Sequence, residues 1–232
     1  MKRIAIINPD ASGEIIGNLK KMDIEPIPIP KTDRVDAPLA GHPDIQVFVH
    51  GERVFCHPDI SLSFVSALEQ YAEVTICSTK LLKAYPGDVP YNIACAGPWA
   101  FKHPVGSDPL VEEYLLSKNI AAAAVNQGYA RCSTLIVDDL SIITADVSIH
   151  RAALSRGLVS LQIVPGHIDL PGYGYGFIGG ATGPCDAMVL CSGALAHHPD
   201  YGAIADFIES RGKKIVPLGT SRAVDLGTIF VL

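Results

Sequence analysis

A cysteine and a histidine in unusual positions are the residues of this sequence best suited to chemistry. Most of the six cysteines lie in apolar runs, as buried thiols do, and no CxxC pair occurs among them. Cys132 instead opens a predicted strand. The segment Gly41-His42-Pro43-Asp44 also precedes a strand, so helix capping does not explain it. A cysteine beside a histidine supplies an activated thiolate and a proton carrier, and Cys132 and His42 are therefore the candidate catalytic pair.

Other motifs indicate structure rather than chemistry. His-Pro-Asp recurs at 57–59 and 198–200, each time before a predicted helix, where proline and aspartate suit the first turn. No HExxH motif and no Cys/His ligand spacing is present, so we predict no metal and no cofactor. The glycine-rich segment 170–183 lacks the spacing of a dinucleotide or phosphate loop. It is either a tight connection or a flexible wall over a cavity.

A repeated β-β-α-β unit must position these residues. Each unit has a hairpin, a helix and a closing strand, and alternation of apolar residues predicts the hairpins. The four complete copies are predicted at 45–77, 92–125, 132–164 and 186–218. The N-terminus supplies a strand at 3–8, a helix at 12–23 and a strand at 25–30, without a hairpin partner. The strand at 225–232 would complete this fifth unit and close a ring.

The fold class predicted is therefore α/β, a five-bladed pseudo-symmetric α/β propeller closed by pairing of the N- and C-terminal strands. The alternative is an ordinary α/β domain in which the β-β-α-β spacing is a coincidence. We assign residues 1–232 to a single domain. Its five units are 225–232 with 1–38, 39–91, 92–130, 131–180 and 181–224.

Composition limits the classes of partner. The chain has 232 residues, of which 48% are apolar and 18% charged, which excludes a disordered chain. A net charge of −6 argues against nucleic acid and anionic membranes. No apolar run approaches the roughly 20 residues of a membrane helix, and the N-terminus turns polar too early for a signal peptide. We expect a cytoplasmic protein with free thiols and a small-molecule partner. The sequence does not indicate an oligomeric state.

Polar residues recur at the position that opens each unit. Asp44, Cys132 and Asp186 each stand seven residues before a predicted hairpin turn, Asn92 opens the shorter third hairpin, and Asp225 opens the closing strand. Because equivalent positions of a ring converge on its axis, we predict a central site lined by these residues. A second carboxylate, Asp169, leads into the glycine-rich segment. The alternative is that Asp and Asn merely begin strands after turns.

These features resemble the pentein fold of the guanidine-modifying enzymes, which include arginine deiminase, dimethylarginine dimethylaminohydrolase and the amidinotransferases. His42-Pro43-Asp44 is similar to the His-x-Asp of that family, and residues 128–137, GYARCSTLIV, resemble its catalytic-cysteine segment. About a hundred residues follow Cys132, whereas the family's cysteine lies near the C-terminus. The chain therefore resembles a circularly permuted pentein, most similar to an uncharacterised bacterial domain family of that fold.

The resemblance implies a Cys-dependent hydrolase or transferase acting on a guanidino, amidino or related amide-like carbon. Cys132 would be the nucleophile and His42 the general acid and base. Asp44, Asn92, Asp186, Asp225 and Asp169 would bind a cationic, guanidine-like substrate, because a planar cation prefers two-point contact with carboxylates. Ala181 stands where the family has an acidic residue. The alternative is therefore a non-catalytic protein that keeps the cavity and binds a small molecule.

Overall fold

The computed structural model describes residues 3–232. Met1 and Lys2 lie outside the described residues. The sequence analysis placed them in the first unit and predicted no signal peptide there. The strands are β1 Arg3–Ile7, β2 Ile24–Pro28, β3 Val47–His50, β4 Arg53–Cys56, β5 Glu73–Ile76, β6 Ala94–Ala96, β7 Trp99–Lys102, β8 Ala121–Ala124, β9 Thr134–Asp138, β10 Ser141–Thr144, β11 Val159–Gln162, β12 Thr182–Cys185, β13 Met188–Cys191, β14 Lys214–Pro217 and β15 Phe230–Val231. The α-helices are α1 Gly13–Lys21, α2 Pro43–Gln46, α3 Leu62–Leu68, α4 Pro109–Ser117, α5 Ala130–Ser133, α6 Val147–Leu154 and α7 Tyr201–Ser210.

The strands form five three-stranded sheets with the same topology. In each sheet the middle strand pairs antiparallel with an outer strand and parallel with the strand that follows its helix. We reserve the name outer strands for the antiparallel edge strands, which are β3, β6, β9, β12 and β15. Side-chain caps begin three of the connecting helices, with Ser12, Asp108 and Asp146 each accepting a backbone N–H of the first turn. The predicted β-β-α-β pattern is thus present in each sheet.

The terminal strands pair as the sequence predicted. β15 lies antiparallel to β1, with Ala5 opposite Val231 and Ile6 opposite Phe230. The pairing is shorter than expected, because only Phe230–Val231 of the predicted strand 225–232 is extended into a strand. Residues 225–229 instead cross the end of the outer strands, where they contribute to the site described below.

The prediction for the last hairpin was wrong. The hairpin comprises β12 and β13, residues 182–191, and its turn is at Asp186-Ala187 rather than Gly193. The segment Thr182–Cys185 contains a glycine and a proline, which are depleted in strands, and we therefore expected a loop there. Pairing with β13 overrides that local preference.

Five clusters of buried side chains join the sheets in sequence. They pack the sheet of β1 against that of β4, then β4 against β7, β7 against β10 and β10 against β13. A fifth cluster, which includes Ala5, Ile7 and Leu190, packs the β13 sheet back against the β1 sheet. Each sheet therefore buries apolar side chains against two neighbours, which orients the same end of every outer strand toward one region. No helix within residues 3–232 is long and apolar enough to span a membrane.

Candidate active site

The site lies where the five outer strands begin. Two strands are preceded by single helical turns, α2 before β3 and α5 before β9, and these turns carry Asp44 and Cys132. The expectation that both segments lead directly into strands was therefore wrong, since His42 is the N-cap of α2 and Cys132 lies within α5. Asn92 precedes β6, the glycine pair 179–180 precedes β12, and Asp225 precedes β15. All five positions are thus contributed by equivalent points of the repeated unit. Of the predicted residues, the structure brings together Asp44, Asn92, Cys132, Asp225 and His42.

Cys132 is held by hydrogen bonds from two other units. Its Sγ donates to Oδ2 of Asp44 at 2.9 Å, and Asn92 Nδ2 lies 3.5 Å from the same sulfur. Asn92 also binds the backbone, since its Oδ1 accepts the N–H groups of Arg131 and Cys132 at 2.7 and 3.3 Å. Its Nδ2 donates to the Asp44 carbonyl at 3.0 Å. One buried amide therefore fixes both the thiol and the carboxylate that binds it.

His42 and Asp225 form the second part of the site. His42 Nδ1 is 3.8 Å from Asp225 Oδ1, too long for a hydrogen bond, and it has no other partner among the described residues. Asp225 accepts the backbone N–H groups of Phe177 and Gly227 at 2.9 and 3.0 Å. Oδ1 of Asp44 is likewise buried without a partner. Because buried polar atoms are normally paired, the unpartnered Nδ1 of His42, a residue that also lines the cavity described below, is placed to bind a ligand.

The segment after Asp225 includes a residue that the sequence reading missed. Thr228, in a left-handed conformation with φ 71°, donates from Oγ1 to Asp44 Oδ2 at 2.7 Å and also lies 3.1 Å from the Gly179 carbonyl. Gly227 precedes it at φ 78°, and a Cβ there would overlap the side chain of His42. The only indication in the sequence was the pair Gly227-Thr228, which follows shortly after Asp225, an aspartate predicted to lie near the axis.

Burial shifts the protonation of all four central groups. It raises the pKa of the Cys132 thiol well above its ordinary value, and the nearby charges of Asp44 and Asp225 raise it further. It raises the pKa of Asp44, and it raises the pKa of Asp225 to about 6. Burial lowers the pKa of His42, although Asp44 partly opposes this. Burial and the two carboxylates therefore favour the protonated thiol, and burial favours the neutral imidazole, when no ligand is bound. Activation of Cys132 as a thiolate beside His42 stays a prediction.

A cavity of about 260 Å³ opens onto this site. His42, Cys132 and Asp225 supply its polar lining, while Asp44 lies fully buried behind Cys132. Its remaining lining consists of Leu39, Tyr129, Leu170, Tyr173, Gly174, Tyr175 and Phe177. Tyr173 and Tyr175 belong to the glycine-rich segment, which therefore forms one wall of the cavity. Glycines permit this close approach, because a Cβ on Gly176 or Gly180 would overlap Asp225.

Two predicted ligands of the substrate lie outside the cavity. Asp186 is in the turn between β12 and β13, with its side chain 72% exposed and paired with Arg3. The shifted hairpin places Gly179 at the axial position we had assigned to Asp186, and the carbonyls of residues 131, 132 and 134 leave no room there for a side chain. Asp169 contributes backbone hydrogen bonds to residues 223 and 225, but its carboxylate faces Arg222 at 3.8 Å on the surface.

The two other His-Pro-Asp motifs are structural, but the predicted place in the first turn of a helix was wrong, because α3 begins at Leu62 and α7 at Tyr201. His57 and His198 act through their rings instead. Nδ1 of each ring accepts the backbone N–H of the aspartate two residues later, at 3.3 and 3.1 Å. In contrast, His42, Asp44 and Cys132 place one potential ligand atom each within 4.8 Å of one another. Imidazole, carboxylate and thiolate together suit Zn²⁺. The absence of a metal stays a prediction, which metal analysis of the purified protein would test.

Several solved structures share the fold of this chain, and they indicate its fold class. The chain is similar to the DDAH of Pseudomonas aeruginosa, solved as a cysteine-to-serine mutant with citrulline, at 11% identity and TM-score 0.55 over 94% of this chain and 91% of that one. It is similar to an amidinotransferase of the saxitoxin pathway from Microseira wollei, at 11% identity and TM-score 0.57, covering 94% and 77%. It also resembles C. jejuni agmatine deiminase, at 9% identity and TM-score 0.52, covering 94% and 87%. These similarities show the pentein fold.

The family follows from the sequence. The chain belongs to DUF6873, a family of unknown function, whose model matches residues 6–230. The comparison with curated proteins finds no match.

Proposed function

We propose that this protein is a Cys-dependent hydrolase or transferase acting on a guanidino, amidino or related carbon of a small cationic molecule. In this proposal the five units form one domain, a closed pentein-type ring, as the cyclic order of the core clusters supports. A circular permutation would account for the long segment after Cys132. Cys132 is the nucleophile, His42 the acid and base, and Asp225 the carboxylate that binds the cation.

The observation that carries the proposal is the juxtaposition of Cys132, His42 and Asp44 beside a cavity with a carboxylate in its lining. The thiol, the imidazole and Asp225 reach the same space from three different units. Two further features suit a planar cation with several N–H groups. His42 Nδ1 is buried without a partner beside the cavity, and the aromatic side chains of the wall offer π-faces to a positive charge.

The chemistry would proceed through a covalent intermediate. The thiol proton passes by way of Asp44 to His42 as the Sγ of Cys132 bonds to the central amidinium carbon. The C–N bond to the departing amine then breaks as His42 delivers that proton to its nitrogen. This leaves a thiouronium on Cys132. Water then attacks the same carbon and yields a urea or amide oxygen, or a second amine attacks and receives the amidino group. The thiol is restored in either case.

A bound cation would also activate the thiol. Without a ligand, the pKa of Cys132 is raised by burial and by two carboxylates. A substrate cation beside Asp225 offsets their negative potential and so favours the thiolate. Asp44, at 2.9 Å from Sγ, is placed to accept the thiol proton, and its own pKa is raised by burial. Asp44 thus acts on the nucleophile rather than by touching the substrate.

The second candidate function is binding without chemistry, and the protonated resting thiol favours it. In addition, Ala181 is fully buried in the core between the β10 and β13 sheets, so no acidic side chain enters the cavity from that position. Asp225 is then the single carboxylate of the cavity lining.

A matched pair of electrophiles tests the proposal. Chloroacetamidine carries an amidinium and chloroacetamide is its neutral analogue, with the same leaving group. We expect chloroacetamidine to alkylate Cys132 at least about tenfold faster after correction for intrinsic reactivity, as read by peptide mass spectrometry. Asp225→Asn should remove this preference, while Asp186→Asn, at the exposed hairpin turn, should leave it unchanged. Equal rates for the two reagents would contradict a cation site beside Cys132.

Turnover separates the two candidate functions. The protein is incubated with a panel of guanidino and amidino compounds, and released ammonia or amine is measured. Catalytic release that is lost in Cys132→Ser and His42→Ala identifies an enzyme. Retained chloroacetamidine preference without turnover of any compound supports the binding function.

A further inference from the structure

A second cavity lies at the opposite end of the same outer strands. It has a volume of about 210 Å³, and its walls come from all five sheets or the segments leading into them. The apolar lining includes Val49 of β3, Cys95 of β6, Ile136 of β9, Pro184 of β12 and Phe230 of β15. We refer to it as the rear cavity. Its position, lining and distance along the strands separate it from the cavity that contains His42 and Asp225.

One charged side chain lines the rear cavity, the guanidinium of Arg131. Arg131 is only 6% exposed. Its Nη1 donates to the Thr134 carbonyl at 2.9 Å, and the guanidinium carbon lies 5.3 Å from the centre of the Phe230 ring. Among residues 3–232, no carboxylate oxygen lies within 4.0 Å of its nitrogens. The remaining donors of the guanidinium therefore have no anionic partner in this part of the chain.

A buried cation with no carboxylate in direct contact is costly, and buried charges in proteins are normally paired. The negative charge of Asp44 favours the charged guanidinium of Arg131 only from a longer range. A guanidinium presents five N–H donors in a fork that matches a carboxylate in two-point contact. The rear cavity places apolar walls around such a fork and leaves space beside it. This combination suits an anion that has an apolar body, since the walls offer few other polar contacts.

We propose that the rear cavity binds a small organic monocarboxylate, whose carboxylate pairs with Arg131 and whose apolar part lies against Val49, Cys95, Ile136 and Phe230. The volume limits the ligand to a few carbons or a single ring, since drug-sized ligands occupy roughly 300–1,000 Å³. His50, at the end of β3, also lines the cavity, and its Nδ1 lies 2.9 Å from the hydroxyl of Tyr114. None of the residues that line the rear cavity lines the cavity beside Cys132, which we call the front cavity. The two cavities are nevertheless adjacent, because Arg131 precedes Cys132 in the chain and its charge acts on Asp44 and Cys132.

Ligand-observed fluorine NMR on the full-length protein tests this proposal. The probe is 4-fluorobenzoate, in a buffer without phosphate or other carboxylates, and 4-fluorobenzamide is its neutral analogue. We expect saturable binding of the benzoate and at least about tenfold weaker binding of the amide, since a charged two-point contact is lost. Arg131→Met should abolish the difference between the two probes. Gly174→Trp, at the front cavity where a Cβ meets open space, should leave benzoate binding unchanged.

A second variant covers the case in which Arg131→Met does not fold. Cys95→Phe retains the guanidinium but fills the cavity from the β6 wall, and it should compete with the benzoate and weaken its binding. Circular dichroism confirms that each variant is folded. Absence of benzoate binding to the wild-type protein, equal binding of the amide, or full benzoate binding in Cys95→Phe would each overturn the proposal. Loss of binding in Gly174→Trp would assign the ligand to the front cavity instead.

Discussion

The thiol of Cys132 donates a 2.9 Å hydrogen bond to the carboxylate of Asp44, 88 positions away in the sequence. The two residues occupy equivalent single helical turns, α5 and α2, ahead of two outer strands. An acceptor of this kind stabilises the neutral thiol, since ionisation would place two negative charges side by side. The contact therefore raises the pKa of Cys132 and favours the protonated form of the candidate nucleophile.

Removing the charge of residue 44 should make the free thiol more reactive. In Asp44→Asn, the carboxylate that opposes ionisation is gone, so the pKa of Cys132 falls. One pKa unit corresponds to about a tenfold rise in thiolate at a given pH. We expect iodoacetamide to label Cys132 several times faster at pH 8 in this variant, measured by peptide mass spectrometry. Asp186→Asn serves as the control, and an unchanged or slower Cys132 rate in Asp44→Asn would contradict the electrostatic explanation.

The raised pKa of Asp225, about 6, predicts a pH-dependent cost to folding. The folded protein binds the proton more tightly than the unfolded chain, whose aspartates titrate near 3.9. Stability therefore decreases as pH rises from about 4 to 6, and the penalty persists above that range, at about 3 kcal/mol for two pKa units. The melting temperature of Asp225→Asn minus that of the wild type should increase between pH 4.5 and 7.5. A difference independent of pH would show that Asp225 is not perturbed.

The same titration should govern cation binding. Asp225 must be ionised to attract a positive ligand, so the preference of Cys132 for chloroacetamidine over chloroacetamide should decline as pH falls below about 6. The ratio of the two labelling rates is the quantity to follow, because the intrinsic thiol titration affects both reagents equally. A ratio that is constant from pH 5 to 8 would place the cation elsewhere.

Asn92 should be important for stability as well as for the site. Its amide makes buried hydrogen bonds to the backbone of residues 44, 131 and 132. Asn92→Ala leaves these backbone groups unpaired, at a cost of roughly 1–3 kcal/mol for each. We expect a loss of about 3 kcal/mol or more in urea unfolding. Asn126→Ala, at an exposed position, is the matched control and should change stability by less than about 0.5 kcal/mol.

Removal of the last strand should destabilise the whole protein. Deleting residues 230–232 removes β15 and Phe230, exposes the edge of β1 and uncovers the apolar side chains of Ile4 and Ile6 that pack in the same cluster as Phe230. We expect a clear fall in melting temperature together with aggregation. Replacing Leu232 alone with serine keeps the β1–β15 pairs and should have a much smaller effect. A truncated protein that stays monomeric with unchanged melting would show that the terminal pairing is dispensable.

Much of the repeat could be predicted because its signals are local. Alternating apolar residues around Gly51 and around Asp139 predict the β3–β4 and β9–β10 hairpins, and capping residues mark several helix starts. The β12–β13 hairpin could not be located in this way. Thr182–Cys185 has the composition of a loop, and it is a strand because Cys191 to Met188 pair with it across the turn.

Part of the candidate site could likewise be predicted from the sequence, and part could not. Five site residues could be predicted from the sequence, because each stands at or near the opening position of a unit. They are Cys132, His42, Asp44, Asn92 and Asp225. The fifth axial position could not be assigned, because what excludes a side chain at Gly179 is the approach of three carbonyls from another unit. The protonation of Cys132 likewise depends on tertiary structure. Residue type supplies a thiol near a histidine, but it is burial next to Asp44 and Asp225 in the folded protein that raises the pKa of this thiol and favours its neutral form.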